Sequence, residues 1–416
     1  MAKNTKKAAR AAEKVAKKYP KLFTALVIIL VIVLIAAACW YFLDYKKAHP
    51  NGPNDLGGTN GGNGGNGGET TVLTGDLAEI ASADLSVHFL ELGNKYTGDC
   101  TLIKAGDTEV LIDAGSRQNS AEAIVNYVSQ YCTDGVIEYC IATHAHQDHI
   151  AGFVGTTSAP GVFESFSFGT IIDFPLTNAT SNIYERYIEE RDKAVEAGAT
   201  HYTALQCWNE TDGAKREYEL AEGVTMRILY QRFYEEETSD ENDYSVCMLL
   251  SQGEENFLFT GDLEADGEQS LVDHNELPHC KLFKGGHHGS YTASTEALLS
   301  VIQPEIVCVC CCAGSPEYTV TNENMFPSQA FIDRVGVYTD KIYVTTLATD
   351  VVAIPKDQSE TGKEEKSWEY TSMNGNIVLY LLRENGEAAL KLWCSNNTTI
   401  LKDTEWFREN RTWSGV

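Results

Sequence analysis

The stretch "THAHQDH" (143–149) places three histidines and an aspartate within six positions, in a chain with 10 histidines among 416 residues. It follows the apolar run "VIEYCI" (136–141). A pair of nearby histidines is more often solvated surface than a site, but this spacing argues for chemistry. His144 and His146 stand two apart, so at the end of a strand they lean to the same side and can grip one ion. Asp148 and His149 follow after a turn that can redirect them to a second ion. Imidazole and carboxylate are ligands that zinc, iron and manganese accept.

Partners for such ions recur along the chain, each after an apolar run. Asp113 closes "VLIDAG" (110–115), where a buried carboxylate can brace a histidine ring or simply form a turn. Asp262 closes "NFLFTGD" (256–262), as a further candidate ligand or simply a turn. His287 and His288 follow "CKLFKGG" (280–286); neighbours in a strand point oppositely, so only one of them is expected to ligate. Lys284 and Ser290 flank that pair and are placed to touch substrate oxyanions; a solvated lysine and a turn serine are the plain alternatives. His201 lacks such company and reads as an ordinary half-buried histidine. No Ser-His-Asp or Cys-His set accompanies these residues, so the expected nucleophile is a hydroxide shared by two metals, roughly 3.5–4 Å apart.

The elements that must hold these residues are legible. "LSVHFLELGNKYTGDCTLIKAGDTEVLIDAGS" (85–116) alternates apolar runs with Gly and Asp, which indicates paired strands. "SAEAIVNYVSQYC" (120–132) has helical periodicity and "VIEYCIATH" is strand again. The histidine loop therefore opens at the carboxyl end of a strand, a common active-site position in sheet-based folds. "SNIYERYIEERDKAVEAGA" (181–199) is a charged amphipathic helix, and "SVCMLL" and "NFLFTG" are two strands about a turn. "EIVCVCCCAG" (305–314) reads as a buried strand whose four cysteines are thiols rather than a disulfide or a metal site.

Before this region the chain is different in kind. Residues 1–21 are a basic tail, and "LFTALVIILVIVLIAAACWYFL" (22–43) runs without a charge for long enough to cross a membrane. Positive charge ahead of the span predicts a cytoplasmic N-terminus and everything after Asp44 outside the cell. Residues 44–72 are a Gly/Asn-rich tether. The rest suits one large α/β domain or two packed ones, with the main domain at 84–400. Residues 1–50 hold ten Lys/Arg and two acidic residues; the other 366 hold 22 and 57, a net charge of −35. Such a surface repels polyanions, and no basic stripe with interleaved aromatics appears.

The ordered set "HFLELG…GDCTLI", "VLIDAG", "THAHQDHIAG", "ENDYS", "LFTGDLE" and "FKGGHHGS" resembles the metallo-β-lactamase superfamily. Within it, the set is similar to the hydrolase domain of the competence protein ComEC and its stand-alone membrane-anchored relatives. The resemblance covers about residues 85–395, with unmatched insertions near 156–235 and 350–372. It implies an αββα sandwich. It places His144 and His146 on a first metal, and Asp148, His149 and one of His287 or His288 on a second. Asp262 would bridge the two and Asp113 would brace a histidine. Superfamily members often carry a further histidine where this chain reads "SDENDYS"; Asn242 or Asp243 would supply an oxygen there, or water would fill the position, and an oxygen-richer site shifts preference from zinc toward manganese or iron. A single span does not make a channel, so DNA transport by this chain alone does not follow.

The leading expectation is a membrane-anchored extracellular hydrolase with two divalent ions, zinc or manganese or iron, and Asp148, Asp262 and Lys284 at its catalytic centre. Its substrate would be a phosphodiester, DNA or a teichoic-acid-like polymer. The alternatives are a hydrolase of another ester, a lactone or a β-lactam, and a non-catalytic surface protein with a structural metal site.

Overall fold

The computed structural model describes residues 73–74, 77–156, 159–355, 357–359, 365–384 and 387–416. The basic tail, the apolar run 22–43 and the tether fall outside the described residues. Among the described residues no helix is long and apolar enough to cross a membrane. One compact unit spans Thr70–Val416.

Two sheets form its centre. The first contains β1 (Leu73–Thr74), β2 (Leu85–Phe89), β3 (Thr101–Ala105), β4 (Thr108–Ile112), β5 (Val136–Ile141), β6 (Ser167–Asp173), β7 (Thr200–Thr203), β16 (Ile377–Glu384) and β17 (Glu387–Cys394). Its order is β1-β17-β16-β2-β3-β4-β5-β6-β7. The second contains β8 (Glu217–Ala221), β9 (Val224–Leu229), β10 (Cys247–Gln252), β11 (Glu255–Phe259), β12 (Leu282–Lys284), β13 (Ile306–Ala313), β14 (Ile342–Ile354) and β15 (Glu365–Ser372). Its order is β15-β14-β13-β12-β11-β10-β9-β8. Strands β4 to β7 run parallel, as do β11 to β14.

Strand periodicity explains the layering. Met248, Leu250, Phe257 and Phe259 belong to the core that also holds Val87, Phe89, Ile103 and Leu379 of the first sheet. Phe89 stacks on Phe259 with ring centroids 6.4 Å apart. The intervening Leu249 and Leu258 belong to a second core with Leu271, Leu298, Leu299, Phe331 and Ile332. Those five lie on the helices Ala265–His274, Glu296–Ile302 and Gln329–Val335. Period-two alternation thus sends one face of the second sheet to the other sheet and one to helices, so continuous apolar runs are buried on both sides. β13 follows the same rule: Cys308 and Cys310 join the inter-sheet core, while Val307, Val309 and Cys311 meet the helices. All eleven cysteines from Cys100 to Cys394 are buried free thiols. On the first sheet, the helix Ser120–Val128 buries Ile124 and Val128. The helix Asn182–Glu196 packs Tyr187 among Phe153, Phe163 and Phe174. The result is a mixed α/β sandwich of two sheets with helices outside.

The segment 156–235 is not an appendage to this sandwich. It supplies β6 and β7 to the first sheet and β8 and β9 to the second. Likewise, 350–372 completes the long antiparallel β14–β15 pair. The loops that leave the carboxyl ends of β4, β5, β11 and β12 carry Asp113, His144–His149, Asp262 and His288, so the parallel order of the sheets gathers them along one edge.

Candidate metal centre

Four buried side chains converge at that edge. Asp99, His149, Asp262 and His288 each present a ligand atom, and these atoms all lie within 4.8 Å of one another. Nε2 of His149 lies 3.1 Å from Asp262 Oδ2, and Nε2 of His288 lies 3.2 Å from the same oxygen. The two Nε2 atoms are themselves 3.2 Å apart. The other ring nitrogens fix the tautomers. Nδ1 of His149 faces Asp113 Oδ2 at 2.8 Å, and Nδ1 of His288 donates to the Cys310 carbonyl at 2.9 Å. A carbonyl can only accept, so the His288 proton resides on Nδ1, and the carboxylate imposes the same on His149. Each neutral ring then aims an Nε2 lone pair at the other and at Asp262 Oδ2. Three electron-rich atoms pointing inward suit a cation at their centre; without one, the rings must take up a second proton.

Electrostatics shows the same demand. Burial works against charge on His149, but the carboxylates of Asp262 and Asp113 outweigh it and push the ring up to about 10. Burial likewise opposes charge on His288, yet Asp262 and Asp99 drive it well above its ordinary value. Asp262 feels the reverse: burial would raise it, and His149, His288 and His287 hold it well below the usual carboxylate range. Its Oδ1 is buried with no hydrogen-bond partner. In protein alone these rings must be protonated to coexist with the carboxylates; a divalent cation lets both stay neutral. The donor set, two imidazoles and hard carboxylates, fits zinc, manganese or iron.

The surrounding backbone is bent to make this possible. Asp113, His287 and His288 sit at φ 59°, 45° and 52°, in the left-handed region that costs residues with a Cβ about 1–3 kcal/mol each. Asp113 is locked there by Thr143, whose backbone N–H and hydroxyl donate to its two oxygens at 2.8 Å each. Gly98 and Gly115 permit a close crossing of loops. A Cβ on Gly115 would lie 1.5 Å from the Asp148 carbonyl, and one on Gly98 would lie 2.5 Å from Ser116 Cβ. Through that crossing Asp99 N–H donates to the Asp148 carbonyl at 3.0 Å.

Each residue singled out in the sequence has a definite place. His144 and His146 meet through Nε2 and Nδ1 at 3.0 Å, and the His144 ring lies 4.1 Å from that of His149. They adjoin the four-residue cluster without entering it. Burial, then the neighbouring His149, keeps His144 well below its ordinary value and therefore neutral. Asp148 Oδ2 lies 3.5 Å from His288 Nε2. Of the adjacent pair, His288 is the inward one. His287 instead lies 3.2 Å from Glu264 and 3.0 Å from the Thr292 hydroxyl, with Asp262 at 3.8 Å. The two rings diverge because a left-handed turn carries them, not the strand assumed from sequence.

The remaining residues singled out have partners within the protein. Lys284 does not present its ammonium to solvent: it is 3% exposed, with Nζ 2.5 Å from Asp99 Oδ2. Ser290 is buried and its hydroxyl is shared with Thr292 at 2.9 Å, so it too is committed within the protein. Asn242 donates its amide N–H to Glu264 at 3.3 Å and Asp243 accepts from the Thr238 hydroxyl at 3.3 Å, while Oδ1 of each is buried with no hydrogen-bond partner.

Three residues escaped sequence reasoning. Asp99 belongs to the cluster although "YTGDC" has no histidine near it; its short Gly-Asp pair before a strand was the available signal. Tyr318 donates its hydroxyl to Asp148 Oδ2 at 2.5 Å, from a loop where Glu317 holds Arg117 at 2.7 Å and the Thr97 N–H at 2.9 Å. Glu241 ties the histidine loop to the 175–181 loop, accepting from Ala145 N–H at 3.1 Å, Thr177 at 2.8 Å and Asn178 N–H at 2.6 Å. Beside it, His146 opens onto a cleft of about 610 Å³.

A two-sheet α/β sandwich with buried histidines and aspartates at one sheet edge defines a class, and sequence comparison agrees with it. Residues 93–162 match the model of the metallo-beta-lactamase superfamily. It is 23% identical over 275 residues to Recombination protein 2 of Haemophilus influenzae, covering 66% of this chain and 29% of that protein. It is 30% identical over 128 residues to Competence protein ComA of Neisseria gonorrhoeae, covering 30% of this chain and 17% of that protein. The chain thus spans less than a third of these curated relatives. Among solved structures, YhfI from Bacillus subtilis overlaps 70% of this chain and 99% of its own at 12% identity and a TM-score of 0.35. The short form of human tRNase Z overlaps 54% and 92% at 15% identity and a TM-score of 0.29.

Proposed function

We propose that this protein is a metal-dependent phosphodiesterase, held at the cell surface by residues 22–43. The observation that carries the catalytic part is the convergence of two neutral imidazole lone pairs on Asp262 Oδ2, with Asp99 and Asp148 alongside. Asp262, His149, His288 and Asp148 would hold one divalent ion, with His144 and His146 next to it for another. Bound there, such ions would activate water and neutralise charge on an ester oxygen.

The chain's own residues prepare the site. Asp113 and the Cys310 carbonyl fix the two rings by holding the protons on Nδ1. Tyr318 orients Asp148 by donating to Oδ2. Lys284 balances Asp99, so the cluster carries one less negative charge than its carboxylates alone would give it. The names of the curated relatives, a recombination protein and a competence protein, support a substrate with phosphodiester bonds.

The test uses the full chain, expressed with manganese, iron and zinc supplied. Elemental analysis should find metal, and His149→Ala with Asp262→Ala should remove it. Bis-p-nitrophenyl phosphate should be turned over and nitrocefin should not. A metal-free wild-type protein, or the opposite substrate order, rejects the reading.

A further inference from the structure

The cleft beside His146 has a chemistry of its own. Its ten lining residues include Gln147, Asn178, Thr180, Ser181, Ser239 and Asp240, and no lysine or arginine. Several of these are already occupied. Asn178 donates to the Thr238 carbonyl at 2.7 Å, Ser181 caps the following helix through Tyr184 N–H, and Asp240 accepts from Asn242 N–H at 3.1 Å. Gln147, Thr180 and Ser239 are exposed and take no part in a side-chain hydrogen bond among the described residues. Three uncommitted neutral polar groups therefore face the space next to a candidate metal-binding histidine.

The cations nearest the centre are equally informative. Lys284 is paired with Asp99 at 2.5 Å and Arg117 with Glu317 at 2.7 Å. Proteins that hold a nucleic-acid strand do so with lysines and arginines that neutralise successive phosphates. Neither the lining of this cleft nor the two cations beside the cluster offers one that is unpaired.

We infer that the cleft receives an uncharged, hydroxyl-bearing group of the substrate, a glycerol- or sugar-like alcohol esterified to the scissile phosphate. The substrate then carries its negative charge at the metal centre alone, and a polynucleotide is a poor fit. This inference rests on the phosphodiesterase reading above.

Three p-nitrophenyl phosphodiesters with the same leaving group separate the possibilities: those of glycerol, of ethanol, and of the 3′ end of a short oligothymidylate. With the manganese-loaded full chain, kcat/KM for the glycerol ester should exceed that for the ethyl ester about tenfold, the effect of two hydrogen bonds between neutral groups. The oligothymidylate ester should be the slowest, with the gap narrowing as salt rises. Combining Thr180→Val with Ser239→Ala should bring the glycerol-to-ethyl ratio near one, whereas Thr180→Ser should keep it. If bis-p-nitrophenyl phosphate is cleaved but the glycerol ester is no better than the ethyl ester, or the oligothymidylate ester is best, the inference falls alone. If bis-p-nitrophenyl phosphate is not cleaved, the phosphodiesterase reading falls and takes the inference with it.

Discussion

Asp262 faces two imidazoles with one oxygen and leaves the other buried without a hydrogen bond. A residue that served only as a turn would tolerate asparagine readily. Here Asp262→Asn keeps the shape but removes the charge that two rings share, so metal content should drop and phosphodiester turnover should fall by more than about a hundredfold. Circular dichroism should stay native; near-normal turnover would remove Asp262 from the centre. A second prediction concerns His88, fully buried in β2 between Tyr127 and Ser86, with Tyr131 against its ring. Burial, aided by the charge of Lys104, lowers it to about 3 from 6.5. The unfolded chain therefore binds the proton more tightly. The stabilising contribution is complete above pH 6.5 and is lost as pH falls toward 3, at up to about 1.4 kcal/mol per pH unit. Between pH 7.5 and 5, wild type should lose roughly 2 kcal/mol more than His88→Gln in urea unfolding; parallel curves would refute this. His144, His146, His149 and Asp262 were legible because each follows a strand and stands in a recognisable ligand pattern. Asp99, Tyr318 and Glu241 were not, because their roles arise where loops distant in sequence cross.

At the level of elements, the apolar runs around Met248–Phe259 and 306–313 announced strands, and their fully buried pattern followed from being covered on both faces. The segment 156–235 was harder to read. Its strands are short, "EYELA" at β8 and "THYT" at β7, and they gain their place only by pairing at the outer edges of sheets begun elsewhere. The turn at 287–288 was misread as strand because a left-handed step in non-glycine residues leaves no trace in composition. β13 supports a direct test. Its thiols at 308, 310, 311 and 312 are buried, and burial pushes the Cys312 thiol up to about 12. A thiol-reactive reagent should therefore leave all eleven cysteines from Cys100 to Cys394 unmodified in native protein and label them all after denaturation. Rapid labelling of β13 in native protein, read by mass spectrometry, would contradict the packing of that strand.

For the molecule as a whole, the compact unit begins at Thr70, immediately after the Gly/Asn-rich stretch. If residues 22–43 anchor the chain with that unit outside, protease added to intact cells should release a folded fragment cut near 50–70. Protection of the unit from protease would overturn this orientation. The strand order carries one more consequence. In the first sheet, β2 is flanked by β3 from its own neighbourhood and by β16 from the far end of the chain, where Phe89 is opposite Ile377. While the protein is being synthesised, β2 therefore has an open edge until β16, nearly 300 residues later, has emerged. Pairings this remote form slowly, since loop closure must precede any contact. Completion of this sheet is thus a late, all-at-once event: a prematurely terminated product keeps a sticky half-sheet rather than a smaller folded version, and quality-control proteases should meet it as such.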